Sequence, residues 1–388
     1  MYVYDRSHRP LELGGALFEG GEGVIWTVSG LPGYLAKLFR PGKRTSKETK
    51  LAWMVTNPPA DPGKASGQAA LAWPGMLLYE SDGCFIGYMM PHIQNATTLL
   101  HVLNPRLRTR TLPGFDRRYL HRAARNLAGA LRAVHTQDYV IGDLNETNVL
   151  VAPSALVTLI DADSFQVKEK HTGQITFYPC PVGRPEYTPP ELQGCYFLNE
   201  VRRSEQDNFA LAVLIFQLLM DGNHPYRSTW LGQGNPPPLE EKIIKGWFPY
   251  ASEPQALVNP PPGVSLEQLY PPLAALMRRC FVDGYKNPLR RPTAAEWERA
   301  LTDAERALTT CACGTIHSVH LERCPRCGLL SPNLIITCPE CGTSNPDPSA
   351  YCKRCAAHLH PLAECPHCGQ LTVQALQAKF CEACGRRL

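Results

Sequence analysis

Cysteines carry the most clearly patterned chemistry of the chain, because twelve of its 16 cysteines lie in residues 311–388. They form six close pairs. The pairs are Cys311 and Cys313, Cys324 and Cys327, Cys338 and Cys341, Cys352 and Cys355, Cys365 and Cys368, and Cys381 and Cys384. Two thiolates separated by so short a turn can bind the same metal ion. Consecutive pairs are joined by 10, 10 and 12 residues, so we predict three tandem Cys₄ zinc sites.

Each predicted zinc site has all four positions filled by protein ligands, which is typical of structural rather than catalytic zinc. The segment is too short and polar for a core of its own, so zinc binding, worth about 10–16 kcal/mol per site, would supply most of its folding energy. In the simplest arrangement each zinc ion is bound by two neighbouring cysteine pairs, here called knuckles. An interleaved arrangement, in which a zinc ion is bound by knuckles that are not neighbours, is an alternative. Redox-active thiols and iron–sulfur clusters are alternative uses of the cysteines, although iron–sulfur ligation usually needs other spacings.

A second group of residues combines two acids and an amide at fixed separations. Asp143 precedes Asn148 by five residues, and Asp161 ends the β-type run that begins at Val157. Each of these residues, taken alone, is equally compatible with a chance surface position.

Two features near the N-terminus suggest phosphate binding. Gly20, Gly21 and Gly23 lie between two strand-like runs, and Lys37 stands inside a third. Glycines let a hairpin lie close over phosphates and donate backbone N–H groups to them. A plain turn and an outward-facing lysine are the alternative interpretations.

Taken together and in order, these motifs resemble the eukaryotic-type protein kinase family over roughly residues 10–310. Asp143, Asn148 and Asp161 reproduce the spacing of that family's catalytic Asp, metal-binding Asn and metal-binding Asp. The resemblance implies an α+β chain with a two-lobed protein-kinase-like fold followed by small zinc-ribbon modules. The implied boundaries are residues 1–92 for the N-lobe, 93–310 for the C-lobe and 311–388 for the ribbons.

The same resemblance implies roles for individual residues. Asp143 would accept the proton of the substrate hydroxyl, and Asn148 and Asp161 would hold Mg²⁺ on the phosphates of ATP. Lys37 would contact the α- and β-phosphates, with Glu48, the only acid of the following helix-like stretch, as its partner. The other implied nucleotide-binding positions are Gly20, Gly21, Gly23, Ile25 and Met90. The implied reaction is phosphoryl transfer from ATP to Ser or Thr hydroxyls of protein substrates.

Four positions depart from the family pattern and leave a pseudokinase scaffold as an alternative. Phe18 stands at the first glycine of the loop, and Asn145 replaces a lysine near the γ-phosphate. Gly142 replaces the Arg that usually holds a phosphorylated activation loop, so we expect activity that does not depend on phosphorylation of that loop. Its hydroxyl residues are Thr172, Thr176 and Tyr178. Asp163 replaces a glycine, and its carboxylate could either join the metal shell or cap the turn.

Several supporting elements are expected around the site. The apolar run Phe209–Met220 has 12 residues, fewer than the roughly 20 of a membrane span, and indicates a buried helix. Asp207 resembles the buried Asp that anchors the family's catalytic loop. Arg291 resembles the Arg that pairs with a Glu of the activation segment, here Glu191. Thr293 and Glu296 form a capping box that would open the last helix.

Bulk charge disfavours some functions, although a nucleic-acid-associated regulator acting through the zinc ribbons stays an alternative. Lys and Arg exceed Asp and Glu by four, too few to indicate a nucleic-acid or membrane binder. Residues 311–388 hold seven Lys or Arg and five Asp or Glu, so three Zn²⁺ on twelve thiolates would leave this tail at about −4. Protein docking is therefore favoured over nucleic-acid binding for the tail. The run Arg106–Arg125 is interpreted as a solvated face, with a docking site for phosphate or acidic protein as the alternative.

No signal peptide is visible at Met1, and we expect a cytoplasmic protein with reduced thiols. The motifs also resemble the bacterial kinases found with a PP2C-type phosphatase and a von Willebrand A protein in the TerY-phosphorylation triad, which implies those two proteins as partners. A small-molecule kinase is disfavoured because the segment Gly183–Glu191, together with Arg291, matches a peptide-docking platform.

Overall fold

The computed structural model describes residues 1–171, 173–253, 255–332, 335–346, 349, 351–357, 359, 362–364, 367–368 and 371–373. The chain divides into two compact units, Met1–Arg306 and Ala307–Leu388. Helices and strands are mixed in the first unit, in agreement with the α+β prediction. The second unit consists of short hairpins.

Six antiparallel strands at the start of the first unit form a sheet that closes on itself. Their bounds are β1 (Tyr2–Tyr4), β2 (Pro10–Glu19), β3 (Gly23–Val28), β4 (Tyr34–Phe39), β5 (Met76–Tyr79) and β6 (Phe85–Pro91). The spatial order is β1, β2, β3, β4, β6, β5, and β1 also pairs with β5. The register places Ile25 of β3, Lys37 of β4 and Tyr88 of β6 side by side. Cross-strand neighbours project from the same face, so these three side chains share one surface of the sheet.

Helix α1 (Lys47–Thr56) follows β4 and packs against β5 and β6. Its buried positions are Lys50, Leu51 and Met54, which recur every three to four residues and therefore form one face. A lysine on the buried face requires a polar partner, and that partner lies in the candidate site.

The remaining helices of the first unit form its second half. Their bounds are α2 (Leu99–Leu103), α3 (Pro105–Thr111), α4 (Arg117–Thr136), α5 (Ser204–Leu219), α6 (Leu239–Ile244), α7 (Pro271–Arg278), α8 (Gly284–Lys286) and α9 (Ala294–Arg306). Helix α4 packs against α5 and α9, and its N-terminus is capped by Asp116, which accepts from the amides of Arg118 and Tyr119. Thr293 and Glu296 exchange the hydrogen bonds of the predicted capping box before α9.

Helix α5 contains most of the apolar run that the sequence predicted to be a buried helix. Every position from Asp207 to Phe216 is buried, and so are Leu218 and Leu219. Among the residues that the structure describes, no helix combines the length and the apolar character needed to cross a membrane.

The basic run Arg106–Arg125 covers α3 and the start of α4. Arg122 and Arg125 both contact Glu305 of α9, at 2.6 and 3.1 Å. Arg108 pairs with Asp221 at 3.3 Å. Part of this run is therefore neutralised by acids of neighbouring elements.

The first unit also contains short strands, some of which flank the loops of the candidate site. Their bounds are β7 (Thr97–Thr98), β8 (Val149–Val151), β9 (Val157–Leu159), β10 (Val167–His171), β11 (Gln174–Tyr178), β12 (Thr229–Trp230) and β13 (Val258–Asn259). Strands β7, β8 and β9 form one antiparallel sheet, and β10 and β11 form a hairpin. Asn148 directly precedes β8 and Asp161 follows shortly after β9, so the pairing of these two strands brings both residues to one end.

Three antiparallel hairpins lie in the part of the second unit that the structure describes. Their bounds are β14 (Leu308–Thr310) with β15 (Ile316–Ser318), β16 (Ile335–Thr337) with β17 (Ser344–Pro346), and β18 (Leu362–Glu364) with β19 (Leu371–Val373). Among the residues of the second unit that the structure describes, Cys338, Cys352 and Leu359 form the one buried cluster. A cluster of this size is too small to stabilise a fold, which agrees with a metal-dependent segment.

Candidate active site

The loop 141–148 is held by a buried carboxylate beneath it. Asp207 of α5 accepts hydrogen bonds from the backbone amides of Ile141 and Gly142, at 2.7 and 2.8 Å. The ring of His135 lies 3.0 Å from the same carboxylate. Two charge-assisted bonds to consecutive amides fix the loop backbone immediately before Asp143.

Asp143 is the candidate proton acceptor, and two amide side chains orient it. Nδ2 of Asn145 donates to Oδ1 of Asp143 at 2.9 Å, and Nδ2 of Asn148 donates to Oδ2 at 3.2 Å. Burial raises the pKa of Asp143 above its ordinary value, while the bond from Asn145 and the charge of Arg184 act to lower it. The carboxylate is thus oriented without a direct ion pair.

Asn148 and Asp161 provide oxygen ligands beside Asp143. The amide of Ile160 donates to the carbonyl oxygen of Asn148 at 3.0 Å, which places Asp161 next to Asn148. Because Nδ2 of Asn148 is used by Asp143, its Oδ1 is the atom that can face a cation. The side chain of Asp161 is 41% exposed. An amide oxygen and an accessible carboxylate fit the ligand preference of Mg²⁺.

Lys37 lies opposite these oxygen ligands. Its Nζ donates to Oδ1 of Asp161 and to Oδ1 of Asp163, both at 2.6 Å. Burial acts to lower the pKa of Lys37, but the charges of Asp163 and Asp161 outweigh it and raise the pKa. Lys37 is therefore a cation at neutral pH, and it is joined directly to the candidate metal ligand Asp161.

Asp163 is almost completely enclosed, with 1% of its side chain exposed. In addition to Lys37, the hydroxyl of Tyr88 donates to Oδ1 at 2.7 Å, and Nζ of Lys47 lies 3.3 Å from Oδ2. Nζ of Lys50 donates to the backbone carbonyl of Asp163 at 2.7 Å. Burial acts to raise the pKa of Asp163, but Lys37 and Lys47 outweigh it and the pKa is lowered, so the group is an anion.

Glu48 does not contact Lys37, contrary to the role implied for it. Helix α1 turns about 100° per residue, so Lys47, Lys50, Leu51 and Met54 face inward while Glu48 lies outside. Glu48 instead affects Tyr79, whose pKa is raised by burial and by the Glu48 carboxylate. The two lysines of α1, three residues apart, were the signal in the sequence that this helix presents cations to the site.

The glycine turn is a tight hairpin between β2 and β3. The amide of Gly20 donates to the carbonyl of Gly23 at 2.9 Å, with Gly21 and Glu22 at the tip. A Cβ at Gly23 would lie 2.1 Å from the carbonyl oxygen of Leu38, so only glycine fits there. Oε2 of Glu22 lies 2.6 Å from Nζ of Lys47, which links the turn to α1.

Ile25 and Met90 form part of the apolar surroundings of Lys37. Ile25 is partly buried and pairs with Lys37 across β3 and β4, while Met90 is buried at the end of β6 opposite Leu35. Phe18 projects from β2 and is 64% exposed. Ile25 is thus a direct cross-strand neighbour of Lys37, and Met90 lies two residues along β6 from Tyr88, the other cross-strand neighbour of Lys37.

Arg202 is a residue of the site that the sequence did not reveal. Its guanidinium donates to the carbonyl oxygens of Gly142 and Val182, the latter at 2.7 Å. It also stacks on Phe197, with its central carbon 3.9 Å from the ring centroid. Gln166 fixes its backbone through two hydrogen bonds of 2.7 and 2.8 Å. Arg202 thus connects the loop of Asp143 to the segment that follows β11.

Two ion pairs fix the segment 183–191. Arg184 contacts Oε1 of Glu146 at 2.9 Å and Oγ1 of Thr147 at 3.0 Å. Arg291 forms a two-pronged pair with Glu191, both bonds at 2.7 Å, and the Arg291 side chain is fully buried. The pair that the resemblance implied for Glu191 and Arg291 is present.

The described part of the second unit holds two clusters of four cysteines. They are Cys311, Cys313, Cys324 and Cys327, and Cys338, Cys341, Cys352 and Cys355. Within each cluster all four sulfurs lie within 4.8 Å of one another, and the closest Sγ–Sγ distances are 3.5 to 3.7 Å. Tetrahedral zinc with bonds of about 2.3 Å separates its sulfurs by about 3.8 Å. The clusters therefore fit zinc, and neighbouring knuckles are paired in both.

Further contacts in the second cluster favour charged thiolates. Nδ2 of Asn345 donates to Sγ of Cys352 at 3.6 Å, and the amide of Arg354 donates to the same sulfur at 3.4 Å. N–H donors around a ligand sulfur are a frequent support of metal sites. Of the third predicted site, Cys365, Cys381 and Cys384 lie outside the described residues, and Cys368 is exposed.

Comparison with known proteins gives two findings. A protein of Escherichia coli (strain K12) named Protein kinase YegI is 32% identical over 329 residues, which is 83% of this chain and 49% of that protein. The protein of the same name from Escherichia coli O157:H7 is 32% identical over 328 residues, with the same two shares. The chain thus spans about half the length of the curated relatives it matches.

Residues 338–385 match the family model described as double zinc ribbon. The chain therefore carries a C-terminal double zinc ribbon and is similar, over most of its length, to proteins named as protein kinases.

Proposed function

We propose that residues 1–306 adopt a two-lobed protein kinase fold and transfer the γ-phosphoryl group of ATP to Ser or Thr hydroxyls of proteins. One observation carries the proposal. Asp143, Asn148, Asp161 and Lys37 come from three separate segments, and hydrogen bonds link Asn148 to Asp143, Ile160 to Asn148, and Lys37 to Asp161. Phosphoryl transfer requires mainly positioning and charge neutralisation, and this set provides both.

Asp143 orients the attacking hydroxyl. Its carboxylate is held by Asn145 and Asn148 from the side of the loop, which leaves the opposite side for a substrate. A carboxylate within hydrogen-bond distance of a hydroxyl aligns its lone pair with the phosphorus and accepts its proton as the bond forms. The raised pKa of Asp143 is in the direction that makes it a better proton acceptor.

Asn148 and Asp161 are the residues that would hold Mg²⁺, and Lys37 would hold the phosphates. Bound Mg²⁺ supplies charge neutralisation for the β- and γ-phosphates. Lys37 is a buried, pre-positioned cation, so it can receive a phosphate oxygen with little loss of side-chain entropy. The turn around Gly21 offers backbone amides above this point.

A protein substrate is supported by the segment 183–191. Arg291 holds Glu191, and Arg184 ties the start of the segment to Glu146 and Thr147, next to Asp143. A rigid, partly exposed platform beside the proton acceptor suits an extended peptide. The similarity to proteins named as protein kinases supports the same class of substrate.

The zinc tail is proposed to dock a protein substrate or partner. Zinc coordination leaves residues 311–388 with a net negative charge, which is unfavourable for phosphate contacts. A PP2C-type phosphatase and a von Willebrand A protein remain proposed partners. Co-purification of either protein with the full chain, and its loss when Cys338 and Cys352 are both changed to Ser, would support docking through the ribbons.

The reaction itself is tested with γ-labelled ATP and the full chain. We expect transfer of label to protein-bound phosphoserine or phosphothreonine that requires Mg²⁺. Asp143→Asn and Asp161→Asn should lower this transfer by at least about 100-fold, as is common when a general base or a metal ligand is lost. Asp303→Asn, an exposed aspartate of α9, is the matched control and should retain activity.

A pseudokinase scaffold is the second candidate, motivated by the departures at Phe18, Gly142, Asn145 and Asp163. It predicts that wild-type protein and the Asp143→Asn variant incorporate equally little label. Loss of transfer in Asp143→Asn, with activity kept in Asp303→Asn, would exclude it.

A further inference from the structure

The oxygens of Asp163 are all used by groups of the protein. Oδ1 accepts from Lys37 and from Tyr88, Oδ2 faces Lys47, and the backbone oxygen accepts from Lys50. A metal-ligand role would require displacement of these donors from a side chain that is 1% exposed. The neighbouring turn is closed without it, because the amide and hydroxyl of Ser164 donate to the carbonyl of Asp161. Neither of the two roles considered from the sequence, metal shell or turn cap, matches this arrangement.

Helix α1 presents no carboxylate to Lys37. Its inward positions near the site are Lys47 and Lys50, and its one acid, Glu48, is exposed. A cation as buried as Lys37 still needs a fixed anion, because an unpaired buried charge is costly. Asp161 is partly exposed and is the candidate metal ligand, so it cannot be assigned solely to Lys37. Asp163 is the remaining anion, and it is the one that is completely fixed.

We propose that Asp163 is a positioning residue that holds Lys37 in place for the phosphates, and that α1 is joined to the site through its lysines rather than through an acid. This inference rests on the proposed kinase function. The anion, Asp163, lies in the segment after β9, two residues from Asp161. The cations that contact it from α1 are Lys47 and Lys50. Any displacement of α1 would therefore act on Asp163, and through it on Lys37 and Asp161 together.

A double-mutant cycle on nucleotide binding tests the proposal. The dissociation constant of a fluorescent ATP analogue with Mg²⁺ is measured for the full-length wild type, Asp163→Asn, Lys37→Met and the double variant. Asp163→Asn should weaken nucleotide binding by roughly tenfold in the wild-type background. In the Lys37→Met background the same substitution should weaken binding further by less than about twofold. Asp303→Asn is the control and should bind as the wild type does.

A milder change covers the case in which Asp163→Asn fails to fold. Tyr88→Phe removes only the hydroxyl that donates to Oδ1 of Asp163. It should weaken binding by about two- to fivefold, and this effect should also vanish in the Lys37→Met background. A merely structural role would lower stability in both backgrounds without this dependence on Lys37.

Two results would overturn the proposal. Fully additive losses of nucleotide affinity would show that Asp163 does not act through Lys37. An increased Mg²⁺ requirement in Asp163→Asn would show that Asp163 is a metal ligand. If the wild type binds no nucleotide, the proposed function fails, but the thermal unfolding midpoints of the same four proteins still test whether Asp163 and Lys37 interact. If they do, the midpoint of the double variant should fall by less than the sum of the decreases in the two single variants. Additive decreases in the midpoint would reject the interaction.

Discussion

Arg202 and Gly142 are joined by a hydrogen bond from the guanidinium to the backbone carbonyl, although 60 residues separate them in the chain. The same guanidinium donates to Val182, so one buried cation connects the loop before Asp143 with the segment after β11. In the resembled family an Arg at the position of Gly142 makes this connection through a phosphate. Here the cation comes from Arg202, and backbone carbonyls accept its hydrogen bonds.

We predict that activity does not depend on phosphorylation of the activation segment. Replacement of Thr172, Thr176 and Tyr178 by alanine should leave phosphoryl transfer within about threefold of the wild type, because Arg202 needs no phosphate partner. Thr172 lies outside the described residues, and the other two belong to β11. The measurement is transfer of labelled phosphate. Abolition of activity in the triple variant would contradict the prediction.

Gly142 should tolerate no side chain. Its φ is +76°, and an added Cβ would lie 2.6 Å from Nη1 of Arg202 and 2.7 Å from Cβ of Cys180. Gly142→Ala should lower the free energy of unfolding by at least about 2 kcal/mol, the sum of backbone strain and steric conflict. Gly114→Ala is the matched control, because Gly114 has φ +81° and open space around it, and should cost only about 1 kcal/mol. Equal losses in urea unfolding would argue against the close packing.

The pair of Glu191 and Arg291 should make stability depend on pH. Burial opposes ionisation of Glu191, but the hydrogen bonds and charge of Arg291 prevail and lower its pKa. A lowered folded pKa means that the stabilisation is complete above the unfolded value and is lost as pH falls through the folded value. Glu191→Gln should therefore lower the free energy of unfolding by about 3 kcal/mol at pH 7, since Arg291 stays buried without its anion.

Urea unfolding of wild type and Glu191→Gln at a series of pH values checks this prediction. The difference between the two proteins should be constant above the ordinary glutamate pKa of about 4.3 and should shrink as pH falls below it, through the lowered pKa of Glu191 in the folded state. A difference that stays constant from pH 7 to the acid range would contradict the ionic origin of the stabilisation.

Zinc content should follow the cysteine clusters. The sequence predicts three equivalents of zinc per chain, and Cys324→Ser should remove one of them, because each ligand belongs to a single four-sulfur site. Cys352→Ser should remove another, and Cys84→Ser, an exposed cysteine of the first unit, is the control that should remove none. Elemental analysis of the purified chain provides the count. Loss of two equivalents in either single variant would indicate that sites share ligands.

Much of the candidate site was predictable because its chemistry requires fixed residue types at fixed separations. Asp143, Asn148 and Asp161 were singled out by spacing, and in the structure Asn148 bonds to Asp143 at 3.2 Å and to Ile160, the neighbour of Asp161, at 3.0 Å. The resemblance to the kinase family also implied that Asp207 anchors the loop, and Asp207 accepts the amide hydrogen bond of Ile141 in the structure. The two described cysteine clusters follow directly from the spacing of their pairs.

The contacts that the sequence did not predict are those between distant segments. Glu48 was chosen as the only acid in its stretch, but helical periodicity places Lys47 and Lys50 on the inward face instead. Asp163 reaches Lys37 from a position 126 residues away, and Arg202 reaches Gly142 across 60 residues. Spacing within one motif determines local geometry only, whereas such partners depend on how the segments pack together.

The central claim is that Asp143 serves the chemical step of phosphoryl transfer and not the binding of ATP. The most direct measurement determines the Mg²⁺-dependent dissociation constant for ATP and the rate of γ-phosphoryl transfer side by side, for the wild type and Asp143→Asn. For Asp143→Asn we expect a dissociation constant within about threefold of the wild type and a transfer rate lowered by at least about 100-fold. Equal transfer rates, or an absence of transfer by the wild type under conditions where it binds ATP, would contradict it.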